Sequence, residues 1–303
     1  MQPVFSPLSP GSIAIFEKNI STKKIIRAYK KFDINTSNYF KNLSTISIYQ
    51  CPKTGYRFYY PYNISGDNVF YQHFQQFNWY YMPWKWEHQI TLSYLNPGLK
   101  ILEIGCAHGA FLSRITNVFN LPQAIGIEIN ESTKTENERW RILNVDLFDY
   151  QKNNENVFDV VCSFQVLEHI SNVHDFLESN INCLKIGGKL IISVPNNDSF
   201  LNKSPNCLNV PPHHMGLWNM ESLKSLTSIF PVKLIQIHTE ELQNYHIDDY
   251  IYANFYSKYP LLLGKIIREF HKYIGQYQKQ KNKILKNKDN ILGQTILAIY
   301  EKL

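Results

Sequence analysis

The chain has 303 residues, 44% of them hydrophobic and 18% charged, with a formal net charge of +6. That suits one large α/β domain with additions, or two modest domains. No apolar run approaches the roughly 20 residues of a membrane helix. The start, MQPVFSPLSPGSIAIFEKN, lacks the basic end and apolar core of a secretory signal, so a cytoplasmic protein is expected. Five scattered cysteines, Cys51, Cys106, Cys162, Cys183 and Cys207, fit reduced core thiols. Much of the excess positive charge lies in KQKNKILKNKDN (279–290) and STKKIIRAYKK (21–31). It is read as solvated helix face or linker rather than a nucleic-acid footprint.

Residues 1–45 begin Pro/Ser-rich and continue in short polar pieces, with one helix expected around Lys24–Lys31. Residues 46–88 are unusually aromatic, running from Tyr56 to Trp86 and including Trp79. Residues 1–88 are therefore assigned to an arm and an aromatic cap, and 89–303 to the main domain. From residue 99 the rhythm becomes strand and helix in alternation. LKILEIG (99–105), QAIGIEI (123–129), WRILNVD (140–146), VFDVVCS (157–163) and GKLIISV (188–194) read as strands. AFLSRITNVF (110–119) and VHDFLESNINCL (173–184) read as helices, with a weaker helix at 131–139. Apolar strands separated by crossovers predict a mostly parallel sheet covered on both faces. A Pro/Asn loop (195–219), a helix near 220–229, a strand VKLIQIH (232–238), a helical insertion at about 245–288 and a final strand GQTILAIYEKL (293–303) complete the chain.

Ligands of such sheets bind at the carboxyl ends of the strands. The first main strand ends Glu103-Ile-Gly105-Cys106-Ala107-His-Gly109, with small residues where backbone must turn sharply and approach a ligand. A dinucleotide fingerprint would space its glycines differently and place a pyrophosphate at the helix start. An acid at this strand tip suits a ligand with an amino group and no phosphate, which describes S-adenosylmethionine (SAM). Glu128 ends the second strand, where a carboxylate can accept both ribose hydroxyls. Asp146 ends the third, within reach of an adenine amine.

The segments ILEIGCAHGAF (101–111), GIEIN (126–130), NVDLFD (144–149), FDVVCSFQVLEHI (158–170) and LKIGGKLIISVPN (184–196) resemble class I SAM-dependent methyltransferases. The resemblance spans roughly residues 90–240 and the final strand. It implies a Rossmann-like α/β fold with a seven-stranded, mostly parallel sheet and a late antiparallel strand. It also implies SAM as cofactor, held by Glu103, Gly105, Cys106, Ala107 and Gly109, by Glu128 and Ile129, by Asp146 and Leu147, and by Gln165. Ala107 stands where the family usually has a third glycine. The terminal strand and the VLEH segment argue against the rival reading, an NAD-dependent dehydrogenase.

Methyl transfer from a sulfonium needs alignment, and a hydroxyl acceptor also needs a base. Candidates are Glu168 and His169, after the fourth strand, and His213 and His214 in PPHHMGLW (211–218), with His214 preferred slightly over His213. CPKTGYRFYYP (51–61), the aromatic run 70–88 and PPHHMGLW resemble bacterial glycan-biosynthesis methyltransferases. On that resemblance the expected acceptor is a sugar hydroxyl on a nucleotide sugar or a glycan. Tyr80, Tyr81, Trp84 and Trp86 would stack on it, Glu87 and His88 would bond its hydroxyls, and Trp218 would also contact it.

Small-RNA 3′-terminal methyltransferases carry a Glu-x-x-Glu-His segment and a later histidine around a divalent ion. The corresponding set here is Glu168, His169 and one of His213 and His214, with His214 preferred. Gln165 replaces the first acid, and a neutral amide is a poorer ligand for a hard cation. Metal-assisted methylation of an RNA 3′ end is therefore the less favoured enzyme reading. A catalytically idle SAM-fold binding protein would be expected to have a spoiled donor site.

Overall fold

The computed structural model describes residues 2–74, 76–77, 80, 82–129, 138–203, 206–259 and 261–303. Two sheets organise them. The smaller is antiparallel and comes mainly from the N-terminal part: β1 (Ile15–Ser21), β2 (Thr45–Gln50) and β3 (Arg57–Tyr60). The larger contains β4 (Lys100–Ile104), β5 (Gln123–Ile127), β6 (Arg141–Leu143), β7 (Phe158–Phe164) and β8 (Leu184–Pro195). The two-residue β9 (Gly216–Leu217) pairs with β3 and joins the small sheet. β10 (Val232–Glu241) and β11 (Leu292–Lys302) complete the large one.

The large sheet has the order β10-β11-β8-β7-β4-β5-β6. Its inner strands are parallel, and β11 runs antiparallel to both its neighbours. This is the expected Rossmann-like arrangement with a late antiparallel strand. Alternation of side chains with period two divides the strands between two apolar clusters. Leu102, Val161, Ile192 and Ala298 pack into one cluster, and Ile101, Val160, Ile191 and Leu297 into the other. A sheet buried on both faces explains why β4, β7 and β8 read as nearly continuous apolar runs.

The helices Ala110–Val118 and Val173–Cys183 lie where periodicity places them. The expected helix near 220–229 is a short helix, Met220–Lys224, continued by a 3₁₀ turn. Of the expected helix 131–139, residues 131–137 lie outside the described residues, and Glu138 and Arg139 are in a bend. The insertion folds as three helices: Ile247–Tyr256, Leu261–Tyr273 and Gln276–Leu285.

The N-terminal part departs most from expectation. Within the expected arm, 1–45, the helix Thr22–Tyr29 is present and is followed by 3₁₀ turns, but the piece before it is the strand β1, and β2 starts at the arm's end. β1 is mostly exposed, so its residues carry little of the alternation that marks a half-buried strand. All five cysteines are free and buried. Among the described residues, no helix is long and apolar enough to cross a membrane.

Candidate functional site

The parallel strands end together, and the loops that follow them line a cleft of about 1190 Å³. At the tip of β4 the backbone is left-handed at Gly105 (φ 71°), Ala107 (φ 46°) and Gly109 (φ 70°). Glycine adopts this conformation freely, whereas alanine does so at a cost. The Ala107 N–H donates to Glu128 Oε2 at 3.0 Å, which offsets part of that cost and ties the two strand ends together. A Cβ on Gly105 would lie 2.4 Å from Val166 Cγ2, and one on Gly109 2.6 Å from the Trp140 ring. Gly105→Ala is therefore expected to cost about 1–3 kcal/mol, checked as a fall in melting temperature.

Glu103 is buried at the base of this loop, and its Oε2 has no hydrogen-bond partner among the described residues. Burial, reinforced by Glu128, pushes its carboxyl well above the usual carboxylate range. An orphaned buried carboxylate beside a cleft is the local signature of a site that receives a cationic or donor group. Glu103, Cys106, Ala107, Glu128, Ile129, Asp146, Leu147 and Gln165 all line the cleft together with Gly105. Gly109 instead sits behind the loop against Trp140. Asp146 caps the helix Leu147–Gln151 by accepting from the Phe148 N–H.

The same cleft is lined by His169, His213 and His214. His213 is engaged at both nitrogens: Nδ1 donates to the Leu208 carbonyl at 2.8 Å, and Nε2 accepts from the Tyr80 hydroxyl at 2.7 Å. His169 Nδ1 donates to the His213 carbonyl at 2.6 Å, because a carbonyl can only accept. His214 Nδ1 donates to Asn209 Oδ1 at 3.0 Å. The orientation of Asn209 is set by its own amide donation to Asn197 Oδ1 at 2.7 Å. Asn197 in turn donates to the Pro195 and Trp218 carbonyls. The Nε2 atoms of His169 and His214 each lie 3.9 Å from Glu168 Oε1, and the His169 ring also interacts with the Gln165 backbone.

Glu168 is 2% exposed, and its Oε2 has no hydrogen-bond partner among the described residues. Burial pushes its carboxyl up to about 8. Burial pushes His169 down to about 4 and His214 well below the usual imidazole range. Both imidazoles are thus neutral near pH 7 and able to accept a proton or a cation.

The structure does not bring all the aromatic candidates to the cleft. Trp218 is fully buried and packs on Tyr56 with ring centres 4.4 Å apart, so it cannot stack on an acceptor. Trp84 stacks on Phe111 and lies under the Arg114 guanidinium, and Trp86 packs against the same core. Tyr80, Glu87 and His88 do line the cleft; Tyr81 and Trp79 lie outside the described residues. His88 is neutral, pushed down to about 3 by burial.

Sequence reasoning missed a second polar group on the wall, formed by Tyr245, His246, Gln294 and the buried Glu240. Glu240 accepts from the Gln294 N–H at 3.0 Å, and burial pushes its carboxyl up to about 7. Single polar residues scattered over two strands and an insertion carry no spacing signal; only the β10–β11 pairing joins them.

Residues 78–234, just over half of the chain, match the methyltransferase domain family. A probable S-adenosylmethionine-dependent methyltransferase of Mycolicibacterium smegmatis is 28% identical over 150 residues, 47% of this chain and 56% of that protein. A mitochondrial ubiquinone biosynthesis O-methyltransferase of Dictyostelium discoideum is 23% identical over 117 residues, 33% of this chain and 36% of the relative. The chain thus aligns with about a third to a half of the length of these curated relatives. A crystal structure of a SAM-dependent methyltransferase from Archaeoglobus fulgidus superposes with a TM-score of 0.45 at 19% identity, covering 71% of this chain and 90% of that one.

Proposed function

Since the chain belongs to the methyltransferase domain family, we propose that it transfers a methyl group from SAM to a hydroxyl of a sugar, carried as a nucleotide sugar or within a glycan. The observation that carries this reading is the convergence of two neutral histidine Nε2 atoms on the buried Glu168 in the same cleft that Glu103 lines. SAM, when bound, supplies a methyl group already activated on a sulfonium. The chain's part is then to hold the donor, exclude water and take the acceptor's proton.

Glu103 would receive the donor's amino group, Glu128 the ribose hydroxyls, and Asp146 the adenine amine. His214 Nε2 would take the hydroxyl proton, its ring held by the Asn209–Asn197 relay. Glu168, once ionised, would stabilise the imidazolium so formed. His213, with both nitrogens engaged, would position Tyr80 and the loop rather than move a proton. Tyr80, Glu87 and His88 would line the acceptor pocket.

A second reading rests on the same convergence. His169, His213 and His214 place ligand atoms within 4.8 Å of one another, and Glu168 adds an oxygen to His169 and His214. Two imidazole lone pairs and a carboxylate suit a divalent transition metal. The test is incubation with isotopically labelled SAM and a panel of nucleotide sugars, with and without chelator, read by mass spectrometry. Labelled product unaffected by chelator is the expected result. Product lost on chelation and restored by added metal would favour the metal reading. Donor binding without any sugar product would remove the acceptor assignment.

A further inference from the structure

On the helix Leu261–Tyr273, Gly264, Arg268 and His271 face the neighbouring helix Ile247–Tyr256. A Cβ on Gly264 would lie 2.8 Å from the Tyr256 ring, Arg268 is half-buried with its guanidinium 5.8 Å from the Tyr252 ring centre, and the His271 ring centre is 5.7 Å from that of Phe255. One exposed face of the helix is apolar: Leu263, Ile266, Phe270 and Tyr273 recur at three- and four-residue spacing, and Ile274 extends the row. Ile266 is 65% exposed and Tyr273 89%. Apolar residues exposed singly are normal on a protein surface; a contiguous row of five along one helix face marks something that covers it.

The charge around this row selects the occupant. Residues 258–288 contain nine Lys or Arg against one Glu, a net of +8, so the other residues of the chain carry −2 together. Lys279, Lys283 and Lys286, on and just after the helix Gln276–Leu285, are exposed and make no ion pair among the described residues. A second copy of the chain would set one +8 segment against another. A nucleic acid would match the charge but has no use for a Leu/Ile/Phe row. An apolar helix face within a strongly basic segment matches the interfacial region of an anionic bilayer. We propose that the insertion 258–288 docks this protein on anionic membrane surfaces. The helix Ile247–Tyr256 connects the two functions, since Asp249 and Tyr252 line the cleft and Tyr256 packs on Gly264.

The test is co-sedimentation of the full-length chain with vesicles of phosphatidylcholine alone or with about 30% phosphatidylglycerol. Partition onto the anionic vesicles is expected to be at least tenfold stronger and to fall steeply with added salt, each lysine near the surface being worth about fivefold. Ile266→Ser/Phe270→Ser and, separately, Lys279→Gln/Lys283→Gln/Lys286→Gln should each lower that partition at least tenfold. All these side chains are exposed, so melting temperature and S-adenosylhomocysteine affinity should stay at wild type, which separates failure of docking from failure of the methyltransferase reading. Equal partition onto neutral and anionic vesicles would overturn the proposal. So would binding to single-stranded RNA that outcompetes the vesicles and survives the serine changes, or a dimer in sedimentation velocity that the serine changes dissolve.

Discussion

Glu128→Ala is expected to weaken S-adenosylhomocysteine binding by about 100-fold or more, measured by titration calorimetry. Two effects add. A carboxylate accepting two ribose hydroxyls makes charge-assisted hydrogen bonds worth about 1.5–3 kcal/mol each. The same carboxylate also holds the Ala107 N–H at 3.0 Å, in a loop whose alanine sits at φ 46°. Without that bond the strained turn has less to hold it, so the donor loop would lose part of its preformed shape. Glu128→Gln separates the two. An amide oxygen can still accept from Ala107 while bonding the ribose less strongly, so its affinity should fall between wild type and the alanine variant. Affinity unchanged in Glu128→Ala would remove the donor assignment altogether.

That Glu103, Glu128 and Asp146 would meet in one cleft was legible because the pattern is local. Glu103, Glu128 and Asp146 each lie at or just past the end of a strand whose apolar run is unmistakable, and the parallel sheet brings successive strand ends to one edge. The arrangement of the histidines was legible only in part. His213 and His214 are neighbours in sequence, and no pattern in sequence tells which is tied down. The carbonyl of Leu208, the hydroxyl of Tyr80 and the Asn209–Asn197 relay decide it, and these are tertiary contacts. The aromatic run misled for a related reason. Trp218 and Trp84 have the size and polarity of a sugar platform, but the same properties fill a core, and here they are packed on Tyr56 and Phe111. The N-terminal sheet escaped because β1 is exposed and the fourth strand, β9, is two residues long and arrives from about 150 residues further along the chain.

His214→Ala is expected to lower turnover by about 10²–10⁴ while leaving donor affinity unchanged, since a positioned base contributes on that scale. The pH profile carries the sharper test. His169 and His214 are both held neutral by burial, so they are ready to accept a proton well below pH 7. Glu168 is pushed up to about 8, so near neutrality it keeps its proton and cannot stabilise an imidazolium beside it. kcat/KM should therefore rise with pH and level off above about pH 8, and Glu168→Gln should abolish that rise and hold activity at the low level. Stability should move the opposite way. Between the ordinary carboxylate value of 4.5 and about 8, the folded state holds a proton on Glu168 that the unfolded chain has released, so stability declines as pH rises through that window. His169 opposes this between about 4 and 6.5, where the folded state binds fewer protons than the unfolded one. The decline should thus emerge between about pH 6.5 and 8, as a melting temperature falling by several degrees in wild type and by less in Glu168→Gln. A Glu168→Gln variant that keeps the wild-type rise in kcat/KM would move the proton acceptor away from this cluster, towards the Glu240–His246 wall of the same cleft.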